Sequence, residues 1–155
     1  MRLYLVQHGE AKPEAEDPAR PLTEKGRQEA ERVARRVAER VGARPHRIVH
    51  SGRLRARQTA EIWARFFPDV PLEERDGLGP NDDPSIWAER LRAEAEDLVL
   101  VGHLPHLRRL AGLLLCGDPD REVVAFTMAG AVCLERDDPT GRWTLRWSLP
   151  PDLAP

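Results

Sequence analysis

Leu3-Tyr4-Leu5-Val6-Gln7-His8-Gly9-Glu10 opens the chain with four apolar residues that run into a polar turn. A run of this length closed by glycine reads as a buried strand whose carboxyl end turns toward solvent. Two later stretches repeat the arrangement. Ile48-Val49 leads into His50-Ser51-Gly52, and Leu98-Val99-Leu100-Val101, the most hydrophobic run, leads into Gly102-His103. Between these strands the spacing changes to steps of three and four. Thr23 is expected to cap a helix with Ala30, Val33, Ala34, Val37, Ala38 and Val41 on its apolar stripe, stopped by Gly42 and Pro45. A second helix runs from about Leu54 to Pro68 with Ala56, Ala60, Trp63, Ala64 and Phe67 on one face. Asp83-Pro84 is a helix start, and Pro105 opens a helix bearing Leu107, Leu110, Ala111 and Leu114.

After residue 115 the pattern is strand-like only: Val123–Phe126, Val132–Arg136 and Trp143–Ser148, the last two joined by the turn Asp137–Gly141. Trp143 and Trp147 are expected to face the same layer. Alternating strands and helices followed by strands predict an α/β fold: a three-layer αβα sandwich, its central sheet mostly parallel, closed by antiparallel C-terminal edge strands. Residues 1–155 are read as one domain, with no repeat or linker.

Composition narrows the function classes. With 24 basic and 26 acidic side chains the formal charge is −2, so no basic excess points to nucleic acid. No apolar run approaches the roughly 20 residues that span a bilayer, and the N-terminal run is too short for a signal segment. The chain is read as soluble and cytoplasmic, with no membrane partner. Cys116 and Cys133 lack zinc spacing and are expected to be free, buried thiols. Trp63, Phe66, Phe67 and Trp87 read as core, His46 and His50 as histidines without a role, and Glu10 as an anchor for its loop.

Ligands of open α/β sheets bind beyond the carboxyl ends of the strands. Parallel pairing would bring His8, His103 and the arginines Arg53, Arg55 and Arg57 to one rim, with glycines at each strand end allowing close backbone approach. A helix N-terminus with guanidinium groups is an anion site, and two imidazoles beside it suggest phosphoryl chemistry.

These residues resemble the histidine phosphatase superfamily, the phosphoglycerate-mutase-like enzymes. Gln7-His8-Gly9-Glu10 is similar to its Arg-His-Gly-Glu signature, Ser51 to Glu61 to its Ser-Pro-x-x-Arg-Ala-x-Gln-Thr-Ala-Glu segment, and Gly102-His103-Leu104-Pro105 to its Gly-His-x-Pro segment. Arg20-Pro21-Leu22-Thr23-Glu24-Lys25-Gly26 resembles the Arg-Pro-Leu-Thr-x-x-Gly stretch of the SixA-type phosphohistidine phosphatases.

The resemblance implies that His8 is the nucleophile and becomes covalently phosphorylated, that Arg55 grips the transferred oxygens, and that His103 faces them from the opposite side. It implies no metal and no cofactor. The substrate would be a phosphohistidine on a partner protein. A small phosphate ester is the alternative, and a binding module whose catalysis has weakened is a third reading.

Two departures bear on the chemistry. Gln7 stands where the family has a phosphate-binding arginine; it remains a phosphate-binding candidate but brings no charge. A charge-assisted hydrogen bond contributes about 1.5–3 kcal/mol against about 1 for a neutral one, a difference of roughly tenfold in rate or affinity. Restoring arginine at position 7 is expected to raise turnover unless Arg53, Arg20 or Arg108 already fills the space. Gly52 stands in the family's proline position, which is expected to loosen the turn. The proton donor is not legible among Glu73, Glu74, Asp76, Asp82 and Asp83. A weak acid suits a phosphohistidine, whose leaving imidazole has a pKa near ~6.5, far below that of an alkoxide. Only 47 residues separate Arg55 from His103, too few for a large lid once a helix and strand are subtracted.

Overall fold

The computed structural model describes residues 1–155. Its elements, in chain order, are β1 (Arg2–Gln7), α1 (Glu24–Arg36), β2 (Arg47–His50), α2 (Leu54–Ala64), β3 (Leu72–Glu74), α3 (Pro84–Arg92), β4 (Leu98–Gly102), α4 (His106–Cys116), β5 (Ala131–Asp137) and β6 (Arg142–Leu149). The six strands form one sheet in the order β3-β2-β4-β1-β5-β6. The first four are mutually parallel, while β5 runs antiparallel to β1 and β6 antiparallel to β5.

Alternation along each strand divides the core in two. Tyr4, Val6, Ile48, Val99 and Val101 face α1 and α2 through Val33, Ala34, Ala60 and Trp63. Leu3, Leu5, Val49, Leu98 and Leu100 face α3 and α4 through Trp87, Leu91, Leu107 and Leu110. The expected three-layer sandwich, mostly parallel with an antiparallel C-terminal edge, is the fold observed. The helix starts also fall where expected: Thr23 Oγ1 accepts from Gly26 N at 3.0 Å and Asp83 from Ser85 N at 2.9 Å. The first helix runs past α1 into a π turn over Val37–Val41 and ends at Gly42 in the left-handed conformation.

Four expectations differ from the structure. Val123–Phe126 is not a strand. The chain is held against α4, where the Asp118 and Arg121 carbonyls leave no room for a Cβ on Gly112, and Val124 and Phe126 pack into the α3/α4 side of the core instead of pairing. Conversely β3 is a three-residue parallel edge strand, Leu72-Glu73-Glu74, with no apolar run to announce it. Trp143 and Trp147 face opposite layers: Trp147 packs on Tyr4, ring centroids 6.0 Å apart, and Trp143 joins the α3/α4 side. The register shift between Cys133 and Leu134 is a bulge that inserts one residue into β6 and reverses its facing. Cys133 is buried, but Cys116, at the end of α4, is exposed.

One backbone contact fixes the entrance to the rim. A Cβ on Gly26 would stand 2.2 Å from the Glu10 carbonyl oxygen, and one on Gly9 would stand 2.8 Å from the Gly26 carbonyl oxygen. Gly9 and Gly26 therefore serve close backbone packing between the loop after β1 and the first turn of α1, not approach to a ligand. Gly26→Ala is expected to cost about 3 kcal/mol, since neither backbone can yield without moving a strand end. Gly117→Ala, at a left-handed position with open space around it, is expected to cost about 1 kcal/mol. Urea denaturation midpoints with unchanged m-values check both.

Candidate active site

The parallel ladders set the carboxyl ends nearly level: Gln7 pairs with Gly102, and His50 with both Val101 and Glu74. The ladder continues one step past β1, where His8 N donates to Gly102 O at 3.0 Å. The residues just beyond those ends therefore meet. The rings of His8 and His103 lie 5.1 Å apart, inclined at 50°. His8 Nδ1 lies 2.7 Å from the Gly9 carbonyl, which can only accept. That bond puts the proton on Nδ1 and leaves Nε2 with a free lone pair. Burial, together with the cations Arg55 and Arg20, pushes His8 down to about 4, against the raising effect of its bond to Gly9. His103 is pushed down to about 3, first by burial and then by His8, Arg55 and Arg53. Both imidazoles are neutral at pH 7.

Arg55, on the first turn of α2, acts electrostatically on both imidazoles, and its Nε is buried without a partner. Six buried side-chain nitrogen and oxygen atoms in the chain lack a partner, and three of them are Gln7 Oε1, Arg55 Nε and His103 Nδ1. Buried polar groups left unpaired in a native fold call for an occupant such as water or an ion. Arg55 is itself held below its ordinary value by burial, then by Arg20 and Arg53. Arg108 is turned away, 3.6 Å from Glu122, and Arg57 pairs with Glu61 on the wet face of α2.

The supporting residues were the least visible in the sequence. Ser51 Oγ stands 2.7 Å from His103 Nε2, and Thr59 Oγ1 accepts from Gly9 N at 3.0 Å while donating to Arg55 O at 2.8 Å. His50 is structural, since its Nδ1 accepts from Gly52 N at 3.1 Å and shapes the turn after β2. Gly52 sits at φ 93°, a conformation proline cannot take, so the glycine defines a different turn and does not merely loosen one. Glu10 anchors its loop, its carbonyl accepting from Thr23 N at 2.9 Å and its carboxylate from Thr23 Oγ1 at 3.2 Å. His46 pairs with Glu96 at the surface. His106 is fully buried on the first turn of α4.

The carboxylates of residues 73–83 separate. Glu73 pairs with Arg47 and Arg75, and Asp83 caps α3. Glu74, Asp76 and Asp82 line a cavity of about 470 Å³ with Ser51 and Arg53, and no hydrophobic residue lines it.

Fold and rim define a class: open α/β sheets with a cationic, imidazole-bearing pocket beyond the parallel strand ends. The chain belongs to the histidine phosphatase superfamily (branch 1), matched by its residues 3–80. It is 39% identical over 124 residues to an uncharacterised protein of Picosynechococcus, covering 76% of this chain and 74% of that one. It is 32% identical to the 5''-phosphoribostamycin phosphatase of Niallia circulans, covering 73% of this chain and 57% of that protein. The structure of the protein histidine phosphatase SixA complexed with tungstate aligns over 98% of both chains with a TM-score of 0.85 and 26% identity. No helix is long and apolar enough to cross a membrane.

The depressed imidazoles tie this site to stability. As pH falls the unfolded chain takes up protons first, so the contribution of neutral His8 is whole above about pH 6.5. It is lost as pH drops toward the folded value of about 4. Between those limits it lowers the unfolding free energy by about 1.4 kcal/mol per pH unit. Urea denaturation from pH 7 to pH 4.5 is expected to fall less steeply in His8→Gln by that amount; parallel curves would contradict it.

Proposed function

We propose that the protein is a phosphatase that removes phosphoryl groups from phosphohistidine on a partner protein by way of a phosphohistidine formed on His8. The observation that carries this reading is the pair of neutral imidazoles 5.1 Å apart with the Arg55 guanidinium acting on both. His8 Nε2 offers its lone pair to phosphorus while Nδ1 stays bound to the Gly9 carbonyl, which fixes the ring and its tautomer. The bond from phosphorus to the substrate imidazole nitrogen breaks, and that nitrogen leaves with the electron pair and takes a proton from solvent. Water then attacks the phosphohistidine on His8, releasing phosphate and restoring the free Nε2.

Arg55 holds the equatorial oxygens, His103 lies against them from the other side with Ser51 fixing its ring, and the Gln7 amide adds a neutral contact. The tungstate complex of SixA, a structural neighbour, supports the binding of a tetrahedral oxyanion by this fold. The polar cavity beside Ser51 favours a hydrated group on a protein surface over an apolar metabolite.

A small phosphate ester is the second reading. The name of the Niallia circulans relative supports it, and the carboxylates of Glu74, Asp76 and Asp82 suit a leaving group bearing positive charge.

Phosphate release from a phosphohistidine-bearing protein and from an alkyl phosphate ester such as glycerol phosphate separates these readings. We expect the phosphoprotein to turn over at least about 100-fold faster, because its leaving group needs little acid assistance. Faster release from the ester would favour the second reading, and phosphate binding with no turnover would leave a binding module. Acid-labile phosphate is expected on the wild type and absent from His8→Ala; its persistence would move the nucleophile elsewhere.

A further inference from the structure

Position 7 lies beside the proposed nucleophile and carries no charge, while Arg20 is held nearby in a way a surface arginine does not need. The segment after His8 folds back on itself through the Ala11–Leu22 bridge and the bond from Lys12 N to Pro21 O at 2.8 Å. This returns Arg20 to the loop that leaves β1. Its backbone stands at φ 51°, in the left-handed region that L-residues with a long side chain rarely adopt. Its Nε donates to Lys12 O at 3.1 Å, which fixes the stem and leaves the two terminal nitrogens free. No carboxylate pairs with it, and its charge reaches both His8 and Arg55. Arg53 acts on the other flank, on Arg55 and His103. Arg20 and Arg55, two cations that act on the same imidazole with no carboxylate paired to either, are a preorganised seat for an anion.

We propose that Arg20 is the second phosphate-binding arginine of this site, supplying from the loop before α1 the charge that Gln7 does not bring. The proposal rests on the phosphatase reading above. It accounts together for the strained backbone, the anchored stem and the absent carboxylate. It also reverses the expectation for position 7: the space beside His8 already holds a positive charge, so arginine there adds little.

Binding of inorganic phosphate, followed by titration calorimetry, tests this in the wild type and in Arg20→Gln, Arg20→Lys, Gln7→Arg and the Gln7→Arg/Arg20→Gln double variant. Glutamine and lysine both keep the backbone strain and both lose the Nε bond to Lys12, so their difference isolates charge from loop anchoring. Arg20→Gln is expected to weaken binding about tenfold, as the loss of one charge-assisted contact. Arg20→Lys should bind clearly more tightly than Arg20→Gln, since it keeps the charge although not the two-nitrogen fork. Gln7→Arg should change the wild type by less than about threefold yet restore most of the loss in the Arg20→Gln background.

Binding by Arg20→Gln equal to the wild type would overturn the proposal. So would lysine as weak as glutamine, which would make Arg20 a loop anchor only. A wild type that binds no phosphate at all would overturn the phosphatase reading along with it.

Discussion

The pairing of β1 with β4 is the constraint on which the rest depends. Five parallel pairs, from Leu3 with Leu98 to Gln7 with Gly102, make the two strands stop at the same level. The next backbone bond, from His8 to Gly102, carries the alignment into the rim. A slip of one residue would send Tyr4 and Val6 to the wrong face and separate His8 from His103. The two halves of the hydrophobic core therefore fix the geometry of the polar site, since each strand offers one side chain to each helical layer in turn. Backbone packing of Gly9 on Gly26 and the Thr59 bond to Gly9 then hold the turn after β1 from two sides.

The rim concentrates positive charge beside two buried imidazoles. Burial keeps two imidazoles uncharged, and Arg20 and Arg53 stand close enough to hold Arg55 below its ordinary value and to act on the imidazoles. Unpartnered polar atoms of Gln7, Arg55 and His103 add to the strain. A fold gains nothing from such an arrangement by itself; under the proposed function an oxyanion would offset the repulsion among the cations and accept from Arg55 Nε. Sites that hold fixed dipoles and charges ready for a reacting group characteristically reduce the stability of the fold around them.

Much of this was legible along the chain, for physical reasons that can be named. Apolar runs ending in glycine and histidine mark strand ends, and Thr23 and Asp83 declare helix starts through the oxygens they offer to free backbone N–H groups. The rest depended on contacts between distant segments. β3 is two glutamates and a leucine, bound as a strand only because β2 offers it an edge. Val123–Phe126 has strand-like residues, but Val124 and Phe126 pack into the α3/α4 side of the core and pair with no strand. The bulge in β6 turned Trp147 away from Trp143, which no alternation pattern reports. The order of Arg55 and the two histidines along the chain, with the family resemblance, is what marks them as candidates. Arg20 was one of three candidates until a left-handed backbone and a loop closed by Ala11 and Leu22 brought it near His8.

A crystal structure of the protein grown with vanadate would display the reacting arrangement itself, because vanadate adopts the five-coordinate geometry of phosphoryl transfer. Vanadium is expected to be bonded to His8 Nε2, with its equatorial oxygens on Arg55 and His103. Vanadate bound elsewhere, or bound through the opposite nitrogen with Arg55 turned to solvent, would contradict it.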